Sequence, residues 1–195
     1  GFEFGCAWSN ALTMRLRDFQ TTRLIATRWS NDLQNPDCQA RIEEELSGIL
    51  TEAVLRTLPP AFHLRDTPIS DWMSEREAES DVYLVCTKED EDIIGLLIVA
   101  LVSNESVRKS VHIGYLFGEP YWGQGYATEL VHGLVTSAQA LAPITLRAGV
   151  DATNPKSGSV LQKSGFSVDK TASGDDTTQY FLDLIERPCH QQHTT

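Results

Sequence analysis

"EPYWGQGYATEL", residues 119–130, decides how this chain is read. A proline and two aromatics precede two glycines one residue apart, and a helix-like tail follows. Upstream, "VHIGYLF" (111–117) alternates Val111, Ile113, Tyr115 and Phe117 against His112, Gly114 and Leu116, the period of a strand. Downstream, Ala127, Leu130, Val131, Leu134, Val135, Ala138 and Leu141 recur at helical spacing, and Pro143 stops the run. The stretch is therefore a strand-to-helix junction. Free amides and the helix dipole make such a junction an anion site. Gly123 and Gly125 remove the side chains that would keep a phosphate off the backbone. A purely structural glycine turn is the competing explanation.

Two familiar phosphate loops do not fit. A G-x-G-x-x-G pattern starts at Gly123, but Thr128 stands where its third glycine belongs, and strands rather than a βαβ unit precede it. A G-x-x-x-x-G-K-[ST] pattern starts at Gly118 but reads Gln124 and Gly125 after its second glycine. It has no lysine for a γ-phosphate and no hydroxyl for magnesium. A phosphate is expected here, but not for phosphoryl transfer.

The rest of the chain supplies the frame. "TTRLIATRW" (21–29) reads as the first strand. A helix follows with Asn35 as N-cap and Pro36 at its first position. Its apolar face is Ile42, Leu46, Ile49, Leu50, Ala53 and Val54, and "LPP" (58–60) ends it. "TPISDWMSEREAES" (67–80) reads as a shorter helix starting at Pro68. "VYLVCT" (82–87), "IIGLLIVALV" (93–102) and "ITLRAGV" (144–150) read as strands, "PKSGSVLQKSG" (155–165) as a short helix, and "FSVDKT" with "TQYFLDL" as a closing pair. The order β-α-α-β-β-β-α-β-α-β-β is a mixed α/β domain.

Composition bounds the function. The 195 residues are 41% hydrophobic and 22% charged, which suits a single domain. The expected domain is 21–186, between an N-terminal extension (1–20) and a tail (187–195). Met14 is the expected native initiator, with expression-derived or read-through sequence before it. A net charge of −11 disfavours nucleic acid and favours a cationic substrate or partner. Cys6, Cys38, Cys86 and Cys189 show neither C-x-x-C nor zinc spacing, so reduced thiols in a cytoplasmic protein, with no metal, are expected. The longest apolar run, 93–102, is about half a membrane span, and no membrane association is expected.

Two motifs together point to a family. "IGYLFGEPYWGQGYATELV" (113–131) resembles the acyl-CoA loop of the GNAT N-acetyltransferases, in the form used by the ribosomal-protein N-terminal acetyltransferases. "NPKSGSVLQKSGF" (154–166) resembles that branch's N-x-x-S-x-x-V-L-x-K-x-G-F. The element order is also similar from end to end, over roughly residues 21–185. The resemblance implies a central, mostly antiparallel sheet splayed between its fourth and fifth core strands, with helices on both faces. It implies acetyl-CoA as cosubstrate, with pyrophosphate held by the amides of Trp122, Gly123, Gln124, Gly125, Tyr126 and Ala127, and Thr128 adding a hydroxyl. Trp122 stands where the family usually has Gln or Arg. The pantetheine arm would pair with the backbone of Leu116 and Phe117, and Asn154 would contact it.

The implied activity is transfer of an acetyl group to a primary amine, either a protein N-terminus or a small amine, by direct attack on the thioester. A primary amine is mostly protonated at neutral pH, so a base is useful. His112 stands where many relatives carry a glutamate, and Glu119 at the loop mouth is the second candidate. The amide of Leu116 or Phe117 would serve the oxyanion. The usual acid, a tyrosine after the asparagine, is replaced by Leu161. Ser157 and Tyr180 remain as donors to the leaving sulfur, and a helix-cap role for Ser157 stands equal to that one. A non-catalytic acyl-CoA-binding module of the same fold is the alternative. Many relatives are dimers, so a monomer or homodimer is expected, and Tyr180 and Phe181 on a late strand would help form a dimer contact.

Overall fold

The glycine loop sits where the sheet changes direction. In the computed structural model, which describes residues 15–102 and 108–187, all strands join one eight-stranded sheet of order β1-β2-β3-β4-β5-β6-β8-β7. The strands are β1 (Phe19–Gln20), β2 (Leu24–Arg28), β3 (Asp81–Thr87), β4 (Ile93–Val102), β5 (Lys109–Phe117), β6 (Ile144–Asp151), β7 (Ser167–Asp169) and β8 (Thr177–Leu184). The helices are α1 (Pro36–Ile49), α2 (Glu52–Leu55), α3 (Ile69–Glu79), α4 (Tyr126–Ala138) and α5 (Pro155–Lys163). Every ladder is antiparallel except β5 with β6. That parallel pairing runs only from Lys109 opposite Ile144 to His112 opposite Arg147. From Ile113 to Phe117 the β6 side of β5 has no ladder partner. The expected splay is there, opening beyond His112.

Helices cover both faces. Val111, Ile113 and Phe117 of β5 enter a core with Leu130, Val131 and Leu134 of α4 and Leu161 of α5. Leu116 enters the opposite core with Ile42 and Leu46 of α1 and Trp72 and Met73 of α3. Each such side chain contributes about 1.5–3 kcal/mol on burial. That outweighs the few tenths available to helix surface pairs, so tertiary packing holds these helices in place. Asn35 caps α1 as expected, its side chain accepting from the Asp37 amide at 2.9 Å.

Two expectations need correction. The first strand is shorter than 21–29, and β1 precedes it: Leu16 and Phe19 are buried in the α4-side core. Thr21–Arg23 is the turn between them. The helix from Pro36 also does not run on to 58. Leu50 leaves helical geometry (φ −80°, ψ 55°), and Thr51 starts α2 as an N-cap, its hydroxyl accepting from the Val54 amide at 3.4 Å. Apolar spacing continues through the break, so periodicity alone conceals it. The expectations for residues 1–14 and 188–195, including Met14, Cys6 and Cys189, lie outside the described residues.

Candidate active site

Gly118 continues β5 for one bond, its amide donating to Ile94 O at 2.9 Å. A 3-10 turn over 119–121 follows, and then the two glycines. Gly123 and Gly125 have φ of 72° and 80°, the left-handed region in which a side chain is costly. Gly125 is also the N-cap of α4, and no side chain caps that end. Among the described residues, no amide from Gly123 to Thr128 has a hydrogen-bond partner. Helix starts normally satisfy such groups. With no side chain on them, these donors are left to water or to a bound ligand.

The Trp122 amide is not one of them. It donates to Glu119 O at 3.2 Å, and the indole Nε1 donates to Phe117 O at 2.7 Å. Trp122 therefore braces the end of β5 instead of lending its backbone to a ligand.

The loop is held from a distant part of the chain. Glu129, in the first turn of α4, accepts from Thr21 Oγ1 at 2.6 Å, from the Arg23 amide at 2.7 Å and from Arg23 Nε at 2.6 Å. The same guanidinium donates to Gln124 O at 3.0 Å and lies over the Tyr126 ring at 4.3 Å. A carboxylate near a helix N-terminus would compete with an anionic ligand, but here it is already paired. Burial pushes the Glu129 carboxyl up, yet the bonds from Thr21 and Arg23 outweigh this and hold it below its ordinary value.

These donors open onto a cavity of about 450 Å³ between α4, α5 and the splayed end of β5. Of the expected residues, Leu116, Phe117, Trp122, Gly123, Gly125, Tyr126, Ala127, Thr128, Asn154 and Ser157 line it. Gln124 faces a neighbouring cavity instead, and its side chain donates to Pro120 O at 2.8 Å. Asn154 caps α5, accepting from the Ser157 amide at 3.4 Å. Gly95 fits the ladder beside the cleft for a steric reason: a Cβ there would lie 2.3 Å from Leu116 O.

The two base candidates stand apart from the cavity. His112 is exposed, at the last paired position of β5, opposite Arg147. Although the residue is exposed, partial desolvation of its ring comes first and the Arg147 charge second, and both lower its pKa below the ordinary histidine value. It is therefore mostly neutral at pH 7 and able to take a proton. Glu119 accepts from Thr51 Oγ1 at 2.6 Å, which ties the start of α2 to the loop mouth. Tyr180 is buried under α5, where a Cβ on Gly158 would lie 2.5 Å from its hydroxyl. That places it inside the fold and away from a surface contact.

Sequence reasoning passed over Tyr115, Thr57, Lys156 and Val160, which also line the cavity. Tyr115 was visible only as a core-facing member of the β5 alternation. Its hydroxyl lies 2.8 Å from Ser157 Oγ. No sequence signal pairs two residues on separate elements in this way.

Among the described residues, no group of His, Cys, Asp and Glu gathers as a metal-ligand set. None of their helices is long and apolar enough to cross a membrane.

A family model described as an acetyltransferase (GNAT) domain matches residues 14–167. No curated protein matches the chain by sequence. Among solved structures, the chain is similar to a GNAT-family acetyltransferase from Bacillus anthracis (TM-score 0.66, 14% identity, 86% of this chain and 98% of that one). It is also similar to the ribosomal L7/L12 alpha-N-protein acetyltransferase RimL, solved with coenzyme A (0.61, 16%, 86% and 98%). A third is the ribosomal-protein-S5-alanine acetyltransferase from Vibrio fischeri (0.60, 14%, 86% and 96%). At these identities the structures establish the fold. With the family match over most of the chain, they lead to one conclusion: this protein belongs to the GNAT acetyltransferase domain family and is an N-acetyltransferase.

Proposed function

We propose that this protein moves an acetyl group from acetyl-CoA to a primary amine, by direct attack of the amine on the thioester. The observation that carries this is the row of unpartnered amides from Gly123 to Thr128, opening onto a long cleft beside the unpaired edge of β5. A pyrophosphate needs several converging donors and no intervening Cβ, and the loop offers both. The neighbouring strand edge offers backbone groups to an amide-bearing arm. The Leu116 backbone is paired to β4 and Phe117 O accepts from Trp122, so the amide of Phe117 would hold that arm with Leu116 lining its path, Asn154 across from it and Lys156 supplying a cation at the rim. Acetyl-CoA would supply the activated acyl group.

His112 is the proposed base, acting through water, because it does not line the cleft itself. Glu119 is the alternative at the loop mouth. Ser157 is the proposed donor to the leaving sulfur. The acceptor is a protein N-terminus or a small amine, and a positively charged one suits the net charge of −11. A cytoplasmic setting belongs to the same proposal, and the free thiols of Cys38 and Cys86 support it.

Calorimetry with acetyl-CoA, followed by CoA release with a panel of amines and mass spectrometry of the product, tests the proposal. Binding with turnover supports it. Binding with no turnover on any amine favours a non-catalytic acyl-CoA-binding module. A protein that does not bind acetyl-CoA overturns both.

A further inference from the structure

Leu161 is fully buried in the α4-side core. The helix position at which the family usually offers a tyrosine hydroxyl therefore has none to give. A tyrosine reaches the cleft from another element. Tyr115 on β5 places its hydroxyl 2.8 Å from Ser157 Oγ on α5, and both side chains line the same cavity.

Either hydroxyl can donate in that hydrogen bond, and the neighbouring acceptors favour Tyr115 as the donor. Two acceptors lie within reach of the Tyr115 hydroxyl: Ser157 Oγ, and the Ser157 carbonyl at 3.4 Å. Ser157 Oγ has no second partner among the described residues. Ser164 and Thr136 each spend their hydroxyl on the carbonyl four residues back, a common use in helices. Ser157 does not. With Tyr115 donating to Ser157 Oγ, the serine hydrogen is left to face the cavity. Burial pushes the phenol up to about 12, even though a bond donated by Ser157 to the phenolate would pull the other way, so Tyr115 keeps its proton at neutral pH.

We infer that Tyr115 is a positioning residue for acyl transfer: it fixes the Ser157 hydroxyl as a hydrogen-bond donor to the coenzyme A sulfur as negative charge gathers there. This rests on the reading of the cleft as an acetyl-CoA site. The acceptor nitrogen forms its bond to the thioester carbonyl carbon, the carbon–sulfur bond breaks, and its electron pair stays on sulfur. The proton lost from nitrogen goes to the base or to water. Neither hydroxyl gives up its proton, because a thiolate with a pKa near 8.5 is too weak a base to take one from a phenol or an alcohol. A charge-assisted hydrogen bond needs no transfer and is stronger than a neutral one.

Titrating the thiol of bound coenzyme A tests this without any acceptor. Thiolate absorbance of the complex is followed against pH, with the desulfo-CoA complex subtracted. In the wild type the bound thiol should titrate below free coenzyme A. Tyr115→Phe should raise that pKa by about 0.5–1 unit, Ser157→Ala by about the same, and the double variant no further, as coupled partners require. Turnover should fall about tenfold in each single variant, while CoA affinity at low pH stays within about twofold. An unmoved thiol pKa in Tyr115→Phe, or additive losses in the double variant, would overturn the inference. Failure of the wild type to bind coenzyme A would instead remove the cleft reading on which it stands.

Discussion

On the α4–α5 side of the sheet, the cleft is built from backbone. Gly123 and Gly125 set the turn, the amides from Gly123 to Thr128 point outward, and Arg23 with Glu129 fastens the loop from behind. On the α1–α3 side, the chemistry is in side chains, and those side chains are occupied. Glu45 accepts from Arg41 Nε at 2.7 Å and from the Ile93 amide at 3.0 Å, and Glu43 accepts from Gln39 at 2.8 Å. Glu77 accepts from the Trp29 indole, and Glu75 and Glu79 both lie within ion-pair distance of Arg76. Most of these bonds stay within one helix, while Glu45 reaches the amide of Ile93 on β4 and Glu77 reaches the indole of Trp29. A backbone site advertises its ligand, whereas this side-chain surface advertises mainly its own assembly.

The largest expected effect sets one side against the other. His112→Ala should lose about 10²-fold in kcat/KM while acetyl-CoA affinity stays the same, as general-base losses do. The log of kcat/KM in the wild type should rise with pH as the imidazole loses its proton. Because the pKa of His112 is lowered by partial desolvation and by Arg147, the bend should fall below the ordinary histidine value of about 6.5. Glu119→Gln is the matched control, and a larger loss there would transfer the role. If neither variant loses rate, the amine reaches the cleft already neutral, and the bend should move to the amine's own pKa.

A smaller effect probes the backbone site directly. Gly125→Val should weaken acetyl-CoA binding at least about tenfold, or about 1.4 kcal/mol. The nearest atom to a Cβ there is Arg23 Nη2 at 3.6 Å, an ordinary contact. The loss would therefore come from the left-handed φ and from the ligand's approach, not from a clash within the protein. Unchanged affinity by calorimetry in a folded variant would break the contrast between the two sides.

Next comes the fastening. Arg23→Ala removes the side-chain bonds to Glu129 and Gln124, leaving only the backbone amide of residue 23 and Thr21 on Glu129. Acetyl-CoA affinity should fall about threefold to fivefold, the scale of a partly exposed charged pair. Arg23→Lys, which keeps the charge and loses the fork, should recover part of it. Equal losses in both variants would show that geometry, and not charge, is what Arg23 contributes.

The smallest effect is on stability. The folded pKa of Glu129 is held below its unfolded value, so its contribution is present above about 4.3 and is lost as pH falls through the folded value. Glu129→Gln should flatten the fall in melting temperature between about pH 5 and 3. A wild-type slope in the variant would place the acid sensitivity on other carboxylates. Asp169 is a candidate, its pKa held at about 2 by Thr171 and Arg147.

Much of the donor side was legible before any coordinates. A positive φ and an uncapped helix start are backbone demands, and glycine meets the first by residue type alone, so Gly123 and Gly125 declare themselves by position. The alternation of β5 and the 3.6-residue rhythm of α4 are equally local, and both appear where the spacing puts them. The structure decided what depends on contact between distant segments. Arg23 meets Glu129 across 106 residues, and Tyr115 meets Ser157 across 42. The helix break at Leu50 leaves Thr51 to meet Glu119 at the loop mouth, and the Trp122 amide is lost to Glu119 because a 3-10 turn folds back there. Residue type constrains a backbone angle directly. It constrains a partner only through the whole fold, which no local pattern records.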